Sequence, residues 1–172
     1  MGDIFYKTTF DVPIGILTLV SKEDKLVGAW LEGQKYFASF LNDCRVEEKD
    51  NLKIFSDTKL WLSDYFNGVK MYPNELPLSF VGSEFRQIVW RELCKIPYGS
   101  TVSYGDIANR VAKIMGRDKM SFQAVGGAVG HNPILIIVPC HRVVGKSGAL
   151  TGYAAGLAIK SELLKIEKVK LN

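Results

Sequence analysis

A cysteine followed directly by a histidine, Cys140-His141, is the place in this chain where two neighbouring side chains could act as a nucleophile and its base. Sulfur attacks as the thiolate, and a thiol with an unperturbed pKa of about 8.5 is only slightly ionised at neutral pH. An imidazole within reach, directly or through a water, raises that fraction by taking the proton. Neighbours on an extended strand point to opposite faces, so adjacency in sequence does not by itself bring the two groups together. A bend is required, and Pro139 is placed to supply one. As a bare dipeptide, a buried thiol beside an exposed histidine is the commoner arrangement, because cysteine is among the most buried residue types. The other cysteines, Cys44 and Cys94, stand far apart with no Cys-x-x-Cys spacing and read as structural. That usage argues against a disulfide scaffold and against a dedicated zinc site, and neither metal nor cofactor is expected.

The elements that must position this pair follow from hydrophobic periodicity. An apolar run, Ile134 to Val138, predicts a short strand delivering Pro139 and Cys140. A turn follows at Gly145 to Gly148, and a closing helix runs from about Leu157 to Val169. Upstream, Ser83 can cap a helix with Phe85, Ile88, Val89 and Leu93 on one face, ended by Pro97-Tyr98-Gly99. Ser103 opens a second helix with Asp106 three residues on, and Ser121 caps a third. The third holds Ala124, Val125, Gly126, Gly127, Ala128, Val129 and Gly130. Each glycine inside a helix costs roughly 1 kcal/mol relative to alanine. Either tight packing on the core or close approach of another backbone, such as DNA, would account for that cost. Two short helices followed by this smooth one predict a helix-turn-helix.

The first part of the chain reads differently. Ile4–Phe10, Ile14–Val20 and Leu26–Leu31 predict an antiparallel meander, followed by helices around Lys35–Leu41 and Asp57–Phe66. Tyr72 to Pro77 carries two prolines and reads as a linker. The expected fold class is α+β in two small domains. Residues 1–76 would form a supporting domain with an antiparallel sheet and helices. Residues 77–172 would form a mainly helical domain of the winged helix-turn-helix kind.

Charge divides the chain in the same way. Residues 1–80 hold nine basic and twelve acidic side chains, whereas residues 81–172 hold 13 and 6, a net of +7. The second part can therefore face phosphate. No apolar run approaches the roughly 20 residues that a bilayer span needs, and the first residues show no secretory pattern. The expectation is a monomer that works in the cytoplasm, off the membrane and without an obligate protein partner.

The string Pro139-Cys140-His141-Arg142-Val143-Val144 resembles the active-site signature of the methylated-DNA–protein-cysteine methyltransferases, the O6-alkylguanine-DNA alkyltransferases. The resemblance extends from about Phe85 to Glu167. It takes in Ala124-Val125-Gly126-Gly127-Ala128, Asn132-Pro133, Ser147-Gly148, Tyr153 and Gly156-Leu157-Ala158. The first part of the chain is similar only in its layout of strands then helices, which in that family is ribonuclease-H-like.

The resemblance implies direct DNA repair on double-stranded DNA containing O6-alkylguanine, with O4-alkylthymine as a further substrate. Cys140 would accept the alkyl group, His141 would take its proton through a water, and Glu167 would hold the imidazole. Tyr104 would protonate the departing guanine and help rotate the nucleotide, and Asn132 would tie the active-site strand to the helix-turn-helix. Val143, Tyr153, Ala154 and Ala155 would line the pocket for the flipped base, with the Cys140 and Val143 carbonyls accepting from its exocyclic amine. Ser121, Phe122, Gln123, Ala124, Gly126, Gly127 and Gly130 would meet the minor groove. Such a target atom lies inside the base stack, so the nucleotide must be extruded at a cost of about a few kcal/mol.

One departure stands out. Where the family often carries an arginine that fills the space of the flipped base, this chain has Gln123. Glutamine brings no charge, and Phe122 beside it could add an apolar wedge. The connector Ala112–Lys119 could touch phosphates or be a solvated loop, and Arg142 is expected to bind backbone or the first domain. Three other readings remain open from sequence: a non-catalytic lesion binder that recruits repair factors, a winged-helix regulator, and a Cys-His hydrolase, which would turn over.

Overall fold

Alternating or continuous apolar runs from Ile4 to Leu31 build three antiparallel strands, β1 (Ile4–Val12), β2 (Gly15–Lys22) and β3 (Lys25–Leu31). The computed structural model describes residues 2–171. Its contacts divide the chain into two units, Met1–Val81 with Pro133–Ile137, and Gly82–Asn132 with Val138–Asn172. The prolines of the expected linker do not end the first unit, because Leu26 N–H donates to Pro77 O at 2.9 Å and Leu26 bridges Leu78.

In the first unit a fourth strand, β4 (Arg45–Glu48), adds to β1 in parallel, giving the order β3-β2-β1-β4. Its four residues are too short for the period-two pattern to single out. Helix α1 (Lys53–Phe66) buries Ile54, Phe55, Trp61, Leu62 and Tyr65 and packs on β1, β2 and β3. It stops where expected, with Asn67 as its cap and Gly68 at φ +83°. The helix expected around Lys35–Leu41 is absent. Tyr36 and Ala38 take φ of +59° and +49°, outside the right-handed helical region, and only a 3₁₀ turn at Ser39–Leu41 remains.

A second expectation also fails. Residues 134–138 form no strand. Ile134 makes one bridge to Ala29, flanked by Ala29 N–H to Pro133 O and Leu135 N–H to Ala29 O, both at 2.8 Å. The chain then turns tightly, with Ile136 at φ +73° and Ile137 N–H donating to Leu135 O. That is a γ-turn, which satisfies buried backbone without a ladder. All five residues are buried, so a run of buried apolar side chains looks like a core strand from sequence alone.

The second unit packs α2 (Glu84–Leu93), α3 (Tyr104–Ile114) and α4 (Phe122–Gly130) against one another. Each N-terminus carries the cap the sequence indicates. Ser83, Ser103 and Ser121 accept from the backbone N–H groups of Arg86, Asp106 and Ala124, and Asp106 returns the bond to Ser103. Trp90 of α2 donates its indole N–H to Ala128 O of α4 at 2.8 Å. Two short strands, β5 (Val102–Ser103) and β6 (Val143–Val144), pair in parallel. This pairing sets the start of α3 beside the segment that follows Cys140. The last helix, α5 (Leu157–Ile166), ends with Glu167 as its cap residue.

Candidate active site

Pro139 makes the bend that Cys140-His141 needs. At φ −83° and ψ 61° it forms an inverse γ-turn, with Cys140 N–H donating to Val138 O at 2.8 Å. Cys140–Arg142 then form one 3₁₀ turn whose three side chains are all buried. The turn matters because it frees Cys140 and His141 from the opposite-face rule of a strand.

The imidazole Nε2 of His141 lies 2.6 Å from Glu167 Oε1. Arg142 grips the same carboxylate with two bonds, Nε to Oε2 at 2.8 Å and Nη2 to Oε1 at 3.0 Å. Its Nη1 donates to Ile96 O at 2.7 Å, and Gly99 N–H completes the set on Glu167 Oε2 at 3.2 Å. The expectation that Arg142 binds backbone holds at Ile96, but its main partner is Glu167. Burial alone would raise the Glu167 carboxyl. The hydrogen bonds from His141 and Arg142, with the Arg142 charge, outweigh it and hold the group down to about 2. An ionised Glu167 accepts the Nε2 proton of a neutral imidazole, which makes Nδ1 the basic nitrogen. Burial also lowers the His141 pKa, keeping the ring neutral against the pull of Glu167.

Asn132 Nδ2 donates to Val138 O at 2.8 Å and lies 3.1 Å from Cys140 Sγ. Burial pushes the Cys140 thiol up to about 11, against the opposing pull of Asn132 and of the Lys160 charge. The resting pair is therefore a thiol and a neutral imidazole, not a thiolate and an imidazolium. Such a pair can deprotonate sulfur only as reaction proceeds.

Sequence reasoning missed Lys160. It is fully buried, and its Nζ donates to Val143 O at 2.6 Å and to Thr151 O and Gly152 O at 3.2 Å. Burial lowers its pKa to about 8. A signal was present: Lys160, Leu163, Leu164 and Glu167 share one stripe at helical spacing, so a lysine stood among core positions. Tyr104 joins the same loop, its hydroxyl donating to Thr151 O at 2.9 Å, and burial raises its pKa. Val143 is buried in β6, and Tyr153, Ala154 and Ala155 continue from Thr151 and Gly152, partly buried. The Val143 carbonyl already holds Lys160, and the Cys140 carbonyl accepts from Val143 N–H, so each has one remaining lone pair for a ligand.

The DNA-facing residues expected on α4 form a different surface. Ser121, Phe122, Gln123, Ala124 and Gly127 are exposed, and Gly126 and Gly130 are partly so. A Cβ added at Gly126, Gly127 or Gly130 would meet nothing within 4 Å. Tight packing on the core is thereby removed as the reason for these glycines. Beside the start of α4 lies a cleft of about 370 Å³, lined by Ser103, Tyr104, Gly105, Phe122 and Lys146.

Comparison with known proteins decides the family. Residues 84–169 match the 6-O-methylguanine DNA methyltransferase DNA binding domain, and residues 5–80 match the ribonuclease-like domain of the same family. The chain belongs to the 6-O-methylguanine DNA methyltransferase family. A methylated-DNA–protein-cysteine methyltransferase from Mycolicibacterium paratuberculosis is 42% identical over 160 residues, which span 93% of this chain and 90% of the relative. One from Methanosarcina barkeri is 39% identical over 167 residues, 96% of this chain and 99% of its own length. The crystal structure of Mycobacterium tuberculosis OGT in complex with DNA superposes with a TM-score of 0.83 at 40% identity, covering 95% of this chain and 93% of that one. The family's two-part α+β fold is the fold expected from sequence. Among the described residues, no helix is long and apolar enough to cross a membrane, and no three His, Cys, Asp or Glu side chains gather as a metal site.

Proposed function

We propose that this chain repairs DNA by moving the alkyl group of O6-alkylguanine, and of O4-alkylthymine, onto its own Cys140. Two buried pairs joined through the Cys140-His141 turn, Cys140 with Asn132 and His141 with Glu167, carry the reading. Sulfur attacks the alkyl carbon in line. A C–S bond forms as the C–O bond breaks, and the electron pair stays on guanine. The thiol proton passes through a water to Nδ1 of His141, whose Nε2 is held by Glu167. The Tyr104 hydroxyl, kept protonated by burial, gives its proton to the departing guanine. Val143, Tyr153, Ala154 and Ala155 enclose the extruded base.

Recognition falls to α4. Ser121, Gln123, Ala124 and the bare faces of Gly126, Gly127 and Gly130 let the helix enter a groove only about 6 Å wide. The basic second part of the chain supplies phosphate attraction that weakens with salt. A thioether is a dead end for this chemistry, so each molecule acts once. The protein works as a monomer on double-stranded DNA in the cytoplasm, with no membrane or protein partner and no cofactor.

The test is a duplex holding one O6-methylguanine, incubated with protein that is then digested and weighed by mass spectrometry. The methyl is expected on the Cys140 peptide and on no peptide of Cys140→Ala. Tight binding with no methyl moved would instead identify a lesion binder.

A further inference from the structure

Phe122 opens α4 and leaves 65% of its surface in water, the highest exposure among the large hydrophobic side chains of the described residues. Its ring borders the cleft beside Tyr104 and Gly105, and a Cβ added at Gly105 would stand 3.7 Å from Phe122 Cε1. An aromatic ring in that position serves no core. Lys146 lines the same cleft and offers a cation for a backbone phosphate, within a chain segment of net charge +7. These features together suit one occupant, a nucleic-acid strand whose base stacks on the ring while its phosphate meets the lysine.

We infer that Phe122, rather than Gln123, is the group that fills the duplex when the damaged nucleotide leaves it, and that it does so by stacking. The inference rests on the proposed repair function and deepens it. An apolar ring inserted between base pairs replaces the stacking lost on extrusion and reads no hydrogen-bond pattern. Gln123, next along the exposed start of the helix, can reach the unpaired base but supplies little stacking surface. A wedge of this kind has a signature that glutamine-led insertion lacks: indifference to the base opposite the lesion.

Single-turnover methyl transfer to Cys140 would be timed on two substrates, the O6-methylguanine duplex and the free O6-methylguanine nucleobase. Phe122→Ala is expected to lower the duplex-to-nucleobase rate ratio by about 10- to 100-fold, the worth of one base–aromatic stack. Phe122→Trp should restore the ratio, and Gln123→Ala should lower it less than Phe122→Ala does. With the wild-type chain, cytosine, thymine or an abasic site opposite the lesion should give rates within about threefold of one another. A Phe122→Ala ratio equal to wild type overturns the inference, as does a larger loss from Gln123→Ala or a strong preference for cytosine. Absence of transfer from either substrate by the wild-type chain overturns the repair reading itself. Transfer with a wild-type ratio in Phe122→Ala overturns the wedge alone.

Discussion

The two regions that carry the proposed function are built on opposite principles. Around Glu167, two side chains and a backbone N–H converge on one buried carboxylate, and every partner is held within 3.2 Å. Along the outer face of α4 the protein instead leaves space, with three glycines where an added Cβ would meet nothing and an aromatic ring in water. The first region gains its properties from low dielectric and from hydrogen bonds to both oxygens of the Glu167 carboxylate. The second forgoes helix stability to keep a smooth surface. Proton transfer needs fixed geometry before substrate arrives, whereas groove recognition needs room that only substrate fills.

That contrast can be broken from either side, and the largest effect should come from the buried side. His141→Ala removes the base and should slow methyl transfer to Cys140 by about 100- to 10,000-fold. Duplex affinity, read by fluorescence anisotropy, should stay close to wild type. Glu167→Ala strands the Arg142 guanidinium in the interior and should cost about 3–5 kcal/mol of stability by urea denaturation.

The pH dependence of the same residue sharpens the point. Glu167 has a folded-state pKa of about 2, below its ordinary value of 4.5, so the unfolded chain binds the proton first. Its contribution is complete above pH 4.5 and declines as pH falls toward 2. Glu167→Gln should flatten stability across that window, and an unchanged slope would place the acid sensitivity elsewhere.

Lys160→Met removes a donor from three carbonyls, of which Thr151 O keeps the Tyr104 hydroxyl, and should cost about 2 kcal/mol, seen as a lower Tm. The outer face of α4 should behave in the reverse sense. Gly127→Ala meets no atom and should raise stability by about 1 kcal/mol while weakening binding to duplex DNA. Gly126→Ala should do the same. A gain in stability with no loss of binding would show that the smooth face is not where DNA approaches.

Sequence reasoning read these regions unequally. The three serine caps were legible because capping depends on residues three apart. Cys140, His141, Glu167 and Asn132 were legible through the resemblance of a whole segment to a family, and the structure pairs Asn132 with Cys140 and His141 with Glu167. Lys160 was not, because a lysine in a short helix reads as solvent-facing until its neighbours Leu163 and Leu164 are seen to be buried. Residues 134–138 read as a strand, because periodicity reports burial and is silent on a γ-turn at Ile136. The purpose of the α4 glycines could not be chosen from sequence, since packing and open space call for the same residue.

The proposed chemistry ends on Cys140, and each molecule performs it once. Methyl transfer from excess O6-methylguanine duplex, followed to completion against known protein concentration, tests it most directly. The expected result is a plateau at one methyl per protein molecule, reached in a single phase and abolished by Cys140→Ala. Continued release of repaired DNA beyond that plateau, or transfer that survives Cys140→Ala, would contradict it.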